Sequence, residues 1–189
     1  LATPIVRVIF ERAAFTPADT AATAVAVQFY AIGLVGYSVV RIASPVFYAL
    51  GQNRTPVMVS VATVLVNALL NVALVRVMGF RGLALGTSIA ALFNAALLMF
   101  FLRRRLDGIE GGRVARSLVR IAIASALMGI AAIAAGAAAG AWLPGGGLVP
   151  QIVRLAATIG VALGVLSAAA YVLRIREFHD GVALVVRRF

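Results

Sequence analysis

The 189-residue chain contains no cysteine, no lysine, a single histidine and only six acidic residues. Without cysteine there is no disulfide and no thiolate metal site, and nothing about the compartment follows. The one histidine, His179, sits in the tail RIREFHDG without metal-ligand neighbours and reads as solvated. No nucleophile–base pair, P-loop or zinc spacing occurs, so no catalytic or metal residue is assigned and the chain reads as a non-enzyme. Charge of any sign is scarce. Charged residues make up 12% and hydrophobic residues 63%, with a mean hydropathy of +1.06. A typical globular domain is about half apolar and about a quarter charged, so an ordinary soluble domain is excluded.

What is abundant is apolar sequence in long runs. Five segments stand out, at about 20–44, 56–75, 82–102, 117–141 and 149–173. Each suffices for the roughly 20 helical residues that cross a hydrocarbon core. Backbone polar groups must be satisfied inside lipid, and Ala, Leu and Val dominate, so these segments are expected to be helices. A barrel would need alternating apolar and polar residues, which are absent. The expected fold is an all-α integral membrane protein with five transmembrane helices. Ahead of the first span, Thr16, Pro17 and Asp19 form a helix-start signal of N-cap, first helical residue and third-position acid. The chain divides into 1–19, the end of a preceding span and a loop; 20–105, three spans; 106–116, a basic loop; 117–175, two further spans; and 176–189, a tail. It begins LATPIV, without Met or a signal-peptide n-region, and reads as the C-terminal piece of a longer protein. Its Ala- and Arg-rich, Lys-free usage points to a bacterium of high-GC genome.

The net charge of +11 is carried by arginine alone. In a soluble protein it would suggest nucleic acid. Here the arginines flank apolar runs, where they set topology, and a nucleic-acid partner is set aside. One set of connections holds Arg54, Arg103, Arg104, Arg105, Arg113, Arg116, Arg120, Arg174, Arg176, Arg187 and Arg188, eleven in all. The opposite set holds five, Arg7, Arg12, Arg76, Arg81 and Arg154, and Arg41 lies within a span. The arginine-rich side is expected to be cytoplasmic, with the C-terminus inside. The polar interruption YALGQNRTPV at 48–57 is then a cytoplasmic turn.

Several residues could carry function. Arg41 precedes Leu50 by nine residues, roughly 13 Å along a helix, and Pro45 removes the hydrogen bond that would reach back to it. It could hold a phosphate from a polar cavity, or simply snorkel to the interface. In the second span Ser60, Thr63, Asn67 and Asn71 fall within one narrow arc, and in the third Thr87 and Asn94 share a face beside Ser88. These neutral oxygens suit Na⁺ poorly without a carboxylate, and the spacing favours interhelical hydrogen bonds. The fourth span aligns Ser125, Gly129, Gly136 and Gly140; the fifth aligns Gly160, Gly164, Ser167 and Tyr171. Such Gly-x-x-x-Gly steps favour close helix packing, the alternative being a smooth groove for an acyl or prenyl chain. Asp107 and Glu110 read as counter-ions within an arginine-rich loop.

The stretches PIVRVIFERAAFTPADT, SPVFYALGQNRTPV, VNALLN and GFRGLALGTSIAALFNAALL resemble the C-terminal part of the MurJ (MviN) family of lipid II flippases. That family lies within the multidrug/oligosaccharidyl-lipid/polysaccharide (MOP) exporter superfamily. The resemblance runs from residue 4 to about 105; residues 114–189 match only in pattern, and Ala13 departs from the family's usual Gly. It implies a fourteen-helix MOP-type transporter of two six-helix lobes plus two extra helices. This chain would supply the last three spans of the second lobe and the extra pair. It further implies lipid II as the transported partner, surrounding membrane lipids, peptidoglycan synthesis proteins as contacts, and the bacterial cytoplasmic membrane as location. The family's substrate-contacting arginines lie mostly outside these residues. The extra pair would form the lipid-tail groove, at Gly129, Gly136, Gly140, Gly160 and Gly164. No cofactor is implied beyond Na⁺ or the membrane potential as driving force. A cation site would fall at Asn67, Asn71 and Thr87, weakened by an amide at Asn71 where a carboxylate would bind more strongly. The alternatives are a related superfamily exporter of polysaccharide-lipid or drugs, and a non-transporting scaffold for cell-wall enzymes.

The arginine count makes one direct prediction. With Leu106→Cys and Gly146→Cys variants, a membrane-impermeant thiol reagent added from outside should modify only the second; the reverse pattern would overturn the orientation.

Overall fold

Among the described residues of the computed structural model, five of six helices are long and apolar enough to cross a membrane. It describes residues 1–11, 14–106, 111–142 and 147–173. In order they are α1 (Ala2–Phe10), α2 (Pro17–Ala49), α3 (Arg54–Met78), α4 (Phe80–Arg105), α5 (Gly111–Trp142) and α6 (Leu148–Val172). No strand occurs among the described residues. The helices are longer than the apolar runs because polar ends continue them. In particular α5 begins at Gly111, so most of the 106–116 stretch expected as loop is helical. His179 and the tail, Asp107 and Glu110 lie outside the described residues.

Helix starts and stops follow local chemistry. Thr16 caps α2: its hydroxyl oxygen accepts from Asp19 N–H at 3.3 Å, and Thr16 N–H donates to Asp19 Oδ2 at 2.9 Å, a reciprocal capping box with Pro17 in the first turn. The buried Thr20 hydroxyl donates to Glu11 Oε2 at 2.8 Å, and the rings of Phe10 and Phe15 lie 6.0 Å apart. Phe10, Glu11, Phe15 and Thr16 thus shape the approach to α2. At the other end, Gln52 N–H reaches Phe47 O and Gly51 N–H reaches Tyr48 O, with Gly51 at φ +69°. This is a Schellman stop, and it needs the left-handed backbone that glycine adopts freely. Between α3 and α4 a single residue, Gly79 at φ +61°, reverses the chain.

The chain separates into two compact units. One comprises Ile9–Ile109 and is organised by α4, which packs on α2 and on α3. Towards α2 it presents Ser88 and Ala91 to Gly33 and Gly36, and the Ser88 hydroxyl donates to Phe29 O at 2.7 Å. Towards α3 it presents Gly82 and Gly86 to Leu74 and Asn71. At the end bearing the GQNRTPV turn, Phe47, fully buried, packs with Ala43, Val59, Leu98 and Leu102. The other unit joins α5 and α6, through Ala124, Leu166 and Ala170, with Thr3–Val8 of α1. Large side chains elsewhere point outward, Leu69 of α3 at 72% exposure and Ile133 of α5 at 77%, as expected where lipid is the solvent.

The tightness of the α2–α4 contact can be tested. A methyl group at Gly36 would lie 2.6 Å from the Ala91 carbonyl, which is backbone and cannot yield, whereas one at Gly160 meets nothing within 4 Å. Gly36→Ala should destabilise the detergent-solubilised full-length protein by about 1–3 kcal/mol. Gly160→Ala should be neutral or slightly stabilising, by at most about 1 kcal/mol. Equal thermal midpoints for the two variants would contradict the packing.

Candidate functional site

The antiparallel register of α3 and α4 is fixed by two contacts, Leu74 on Gly82 and Asn71 on Gly86. Continuing it brings Asn67 level with Ala90 and Thr63 level with Asn94, while Thr87 stays level with Asn71. Thr63, Asn67, Asn71 and Asn94 therefore share one interface, while Ser60 at the start of the α3 stripe is exposed. Ser88 belongs to the opposite face of α4, turned towards α2. Its offset of two residues from Gly86 is 200° around the helix, so it could not have joined the Asn71 face.

The interface does not form the hydrogen bonds that the spacing favours. The Oδ1 atoms of Asn67, Asn71 and Asn94 are all enclosed and have no hydrogen-bond partner. The hydroxyls that might have served them turn back on their own helices: Thr63 donates to Val59 O and Thr87 to Leu83 O, each at 2.8 Å. Close approach explains this. A methyl group at Gly86 would lie 2.5 Å from Asn71 Oδ1, so this carboxamide rests on a bare Cα where no donor can stand. A buried acceptor left unmatched costs about 1–3 kcal/mol, and three lie along this one helix pair. Such a surface suits a cation or a donor group. No cluster of three or more His, Cys, Asp or Glu residues accompanies it among the described residues, so any cation there would rest on neutral oxygens.

Arg41 lies elsewhere. It is exposed on α2, away from the Gly33–Gly36–Ala43–Phe47 stripe that packs on α4. Helix α2 continues through Pro45, and the Arg41 carbonyl loses its partner one turn back. The structure does not bring Arg41 together with the asparagines, which sit on the α3–α4 pair.

The glycine faces of α5 and α6 also differ from a packing seam. An added methyl group meets nothing within 4 Å at Gly129, Gly140, Gly160 or Gly164, and only Thr158 Cγ2 at 3.9 Å at Gly136. The close approaches occur instead at Gly33, Gly36, Gly82 and Gly86. The signal for the last two was present in the sequence, since Gly82, Gly86 and Ala90 make a small-residue ladder at four-residue spacing.

Known proteins resemble this chain over most of its length. The family model described as "Lipid II flippase MurJ" matches residues 1–150. A probable lipid II flippase MurJ of Rickettsia prowazekii is 40% identical over 98 residues, 52% of this chain and 19% of that protein. Its counterpart in Bdellovibrio bacteriovorus is 33% identical over 128 residues, 68% of this chain and 24% of that protein. The lipid II flippase MurJ of Burkholderia cenocepacia is 35% identical over 104 residues, 55% of this chain and 20% of that protein. The chain thus spans about a fifth to a quarter of the relatives it matches.

Proposed function

The chain belongs to the lipid II flippase MurJ family, and we propose that it is the C-terminal part of a transporter that flips lipid II by alternating access. The membrane is the bacterial cytoplasmic one, and the C-terminus faces inward. One observation carries this reading: the family match covers residues 1–150, and with them α2 to α5 in full. Lipid II is the partner, membrane lipids surround the helices, and the chemistry is transport rather than catalysis. The glycine-packed α2–α4 unit serves as a stiff piece of one rocking lobe. The open glycine faces of α5 and α6 support a groove that accommodates the lipid tail while the headgroup crosses.

Within this mechanism Arg41 supplies positive charge near the cytoplasmic mouth, where the pyrophosphate first binds. Its planar fork matches phosphate oxygens in a way an ammonium does not. The full-length protein carrying Arg41→Lys or Arg41→Ala should be tested by complementation of a flippase-depleted strain at matched membrane levels. Lys should support weak growth and Ala none. Full rescue by both variants would remove Arg41 from the mechanism, and failure of the unaltered protein to complement would remove lipid II as cargo.

We propose that Na⁺, rather than the membrane potential alone, drives transport, with the α3–α4 interface as its site. Asn67 and Asn71 would offer carbonyl oxygens that have no other partner, and Thr87 a hydroxyl whose lone pairs remain available. Bound there, the ion would neutralise the acceptors and couple the seating of α3 on α4 to the sodium gradient. The thermal midpoint of the full-length protein should be higher in sodium chloride than in choline chloride. In Asn67→Leu this difference should vanish, while the midpoint in choline stays close to that of the parent. A variant that loses stability equally in both salts would show that Asn67 acts through packing alone.

A further inference from the structure

A cavity of about 210 Å³ lies within the unit of α5, α6 and Thr3–Val8 of α1, and its polar lining is Arg7, Gln151, Arg154 and Thr158. Arg154 is the one charged residue in the apolar span Val149–Val172. An ionisable side chain within an apolar span is costly, and where it occurs it usually marks a binding or transport path. Arg154 does not simply snorkel outward: the residue is half-buried, and its Nε is fully enclosed. Gln151 precedes it by three residues and so shares its face of α6. The buried Thr158 hydroxyl donates to the Arg154 backbone carbonyl at 2.8 Å and completes the wall. Across the cavity stand Gly136 and Gly140 of α5, and a side chain at Gly140 would project into space with nothing within 4 Å. Glycine at these positions keeps the cavity open.

We propose that this cavity binds the phosphate group of an anionic phospholipid. Two guanidinium groups and a carboxamide line it, and no carboxylate is among the described lining residues. Arginine forks match phosphate oxygens in pairs, at roughly twice the strength of neutral hydrogen bonds. The volume of about 210 Å³ falls below the roughly 300–1,000 Å³ of sites that enclose a drug-sized ligand, so a compact head enters and the remainder stays outside. The surface beside it suits acyl chains. Val149, Ile152 and Val153 of α6 are exposed at 71%, 44% and 47%. A ligand with an anionic head and apolar tails satisfies both surfaces, whereas a free phosphate satisfies only one. The site stands whichever cargo the whole protein carries.

The test uses the full-length protein in an uncharged detergent, with the thermal midpoint followed against dioctanoyl phosphatidylglycerol, dioctanoylglycerol and inorganic phosphate. Phosphatidylglycerol should raise the midpoint saturably, and dioctanoylglycerol should not. Arg7→Gln and Arg154→Gln should each raise the half-saturating concentration about tenfold or more, the loss of a charge-assisted hydrogen bond. Gly140→Leu should fill the cavity and abolish the response, while Arg104→Gln, on the other unit, should keep it. If Arg154→Gln does not fold, Arg7→Gln and Gly140→Leu decide. A response that survives both, or no saturable response at all, would overturn the site. A matching response to inorganic phosphate alone would overturn the lipid and leave a free-anion pocket.

Discussion

Helices in lipid are not driven together by the hydrophobic effect, because acyl chains are as apolar as leucine, so a stable bundle needs backbones that come within van der Waals reach. In the Ile9–Ile109 unit this requirement falls on α4. One face carries Ala84, Ser88, Ala91 and Ala95, all buried, and the other carries Gly82, Gly86 and Ala90. The first face receives Gly33 and Gly36 of α2; the second receives Leu74 and Asn71 of α3. Helices α2 and α3 touch each other little, so α4 is what joins them. At the GQNRTPV end the burial of Phe47 against Ala43, Val59, Leu98 and Leu102 joins the same three helices.

The same closeness creates the chemistry of the α3–α4 interface. A glycine opposite Asn71 admits the carboxamide but supplies no donor, and the nearby threonines spend their hydroxyl protons on their own helices. Three enclosed carbonyl oxygens remain unmatched. An apolar side chain at any of them would pack with less desolvation cost. By contrast, the α5–α6 pair leaves its glycines open. One motif, Gly-x-x-x-Gly, therefore performs opposite tasks in the two units: contact in one and space in the other.

That contrast marks the limit of what the sequence reveals. The five spans, the Thr16–Asp19 cap and the turn at Gly51 depend on residues a few positions apart, and all were legible. The Gly79 reversal was equally local, though only its position between two apolar runs hinted at it. Which glycine face meets a partner is a tertiary matter: nothing within α5 distinguishes Gly136 and Gly140 from Gly82 and Gly86 of α4. Ser88, which the sequence placed only beside the Thr87–Asn94 face, is likewise settled by tertiary contact: the 200° step from Gly86 sends it to α2. Helix ends extended past the apolar runs because polar residues such as Arg116 propagate a helix as well as leucine does.

The arginines need the same distinction between sequence position and depth. Counting by connection placed Arg154 in a loop, yet it lies in the second turn of α6, inside an apolar span, and Arg120 lies comparably inside α5. Setting both aside leaves ten arginines on one side and four on the other, so the topological bias holds. The set-aside residues then fall into a different class. Arg41 is exposed on α2 beside a proline that frees its carbonyl, whereas Arg154 has its Nε enclosed and its backbone carbonyl tied to Thr158. Arg41 and Arg154 thus differ in setting, one exposed and one with an enclosed Nε, although composition counts them alike.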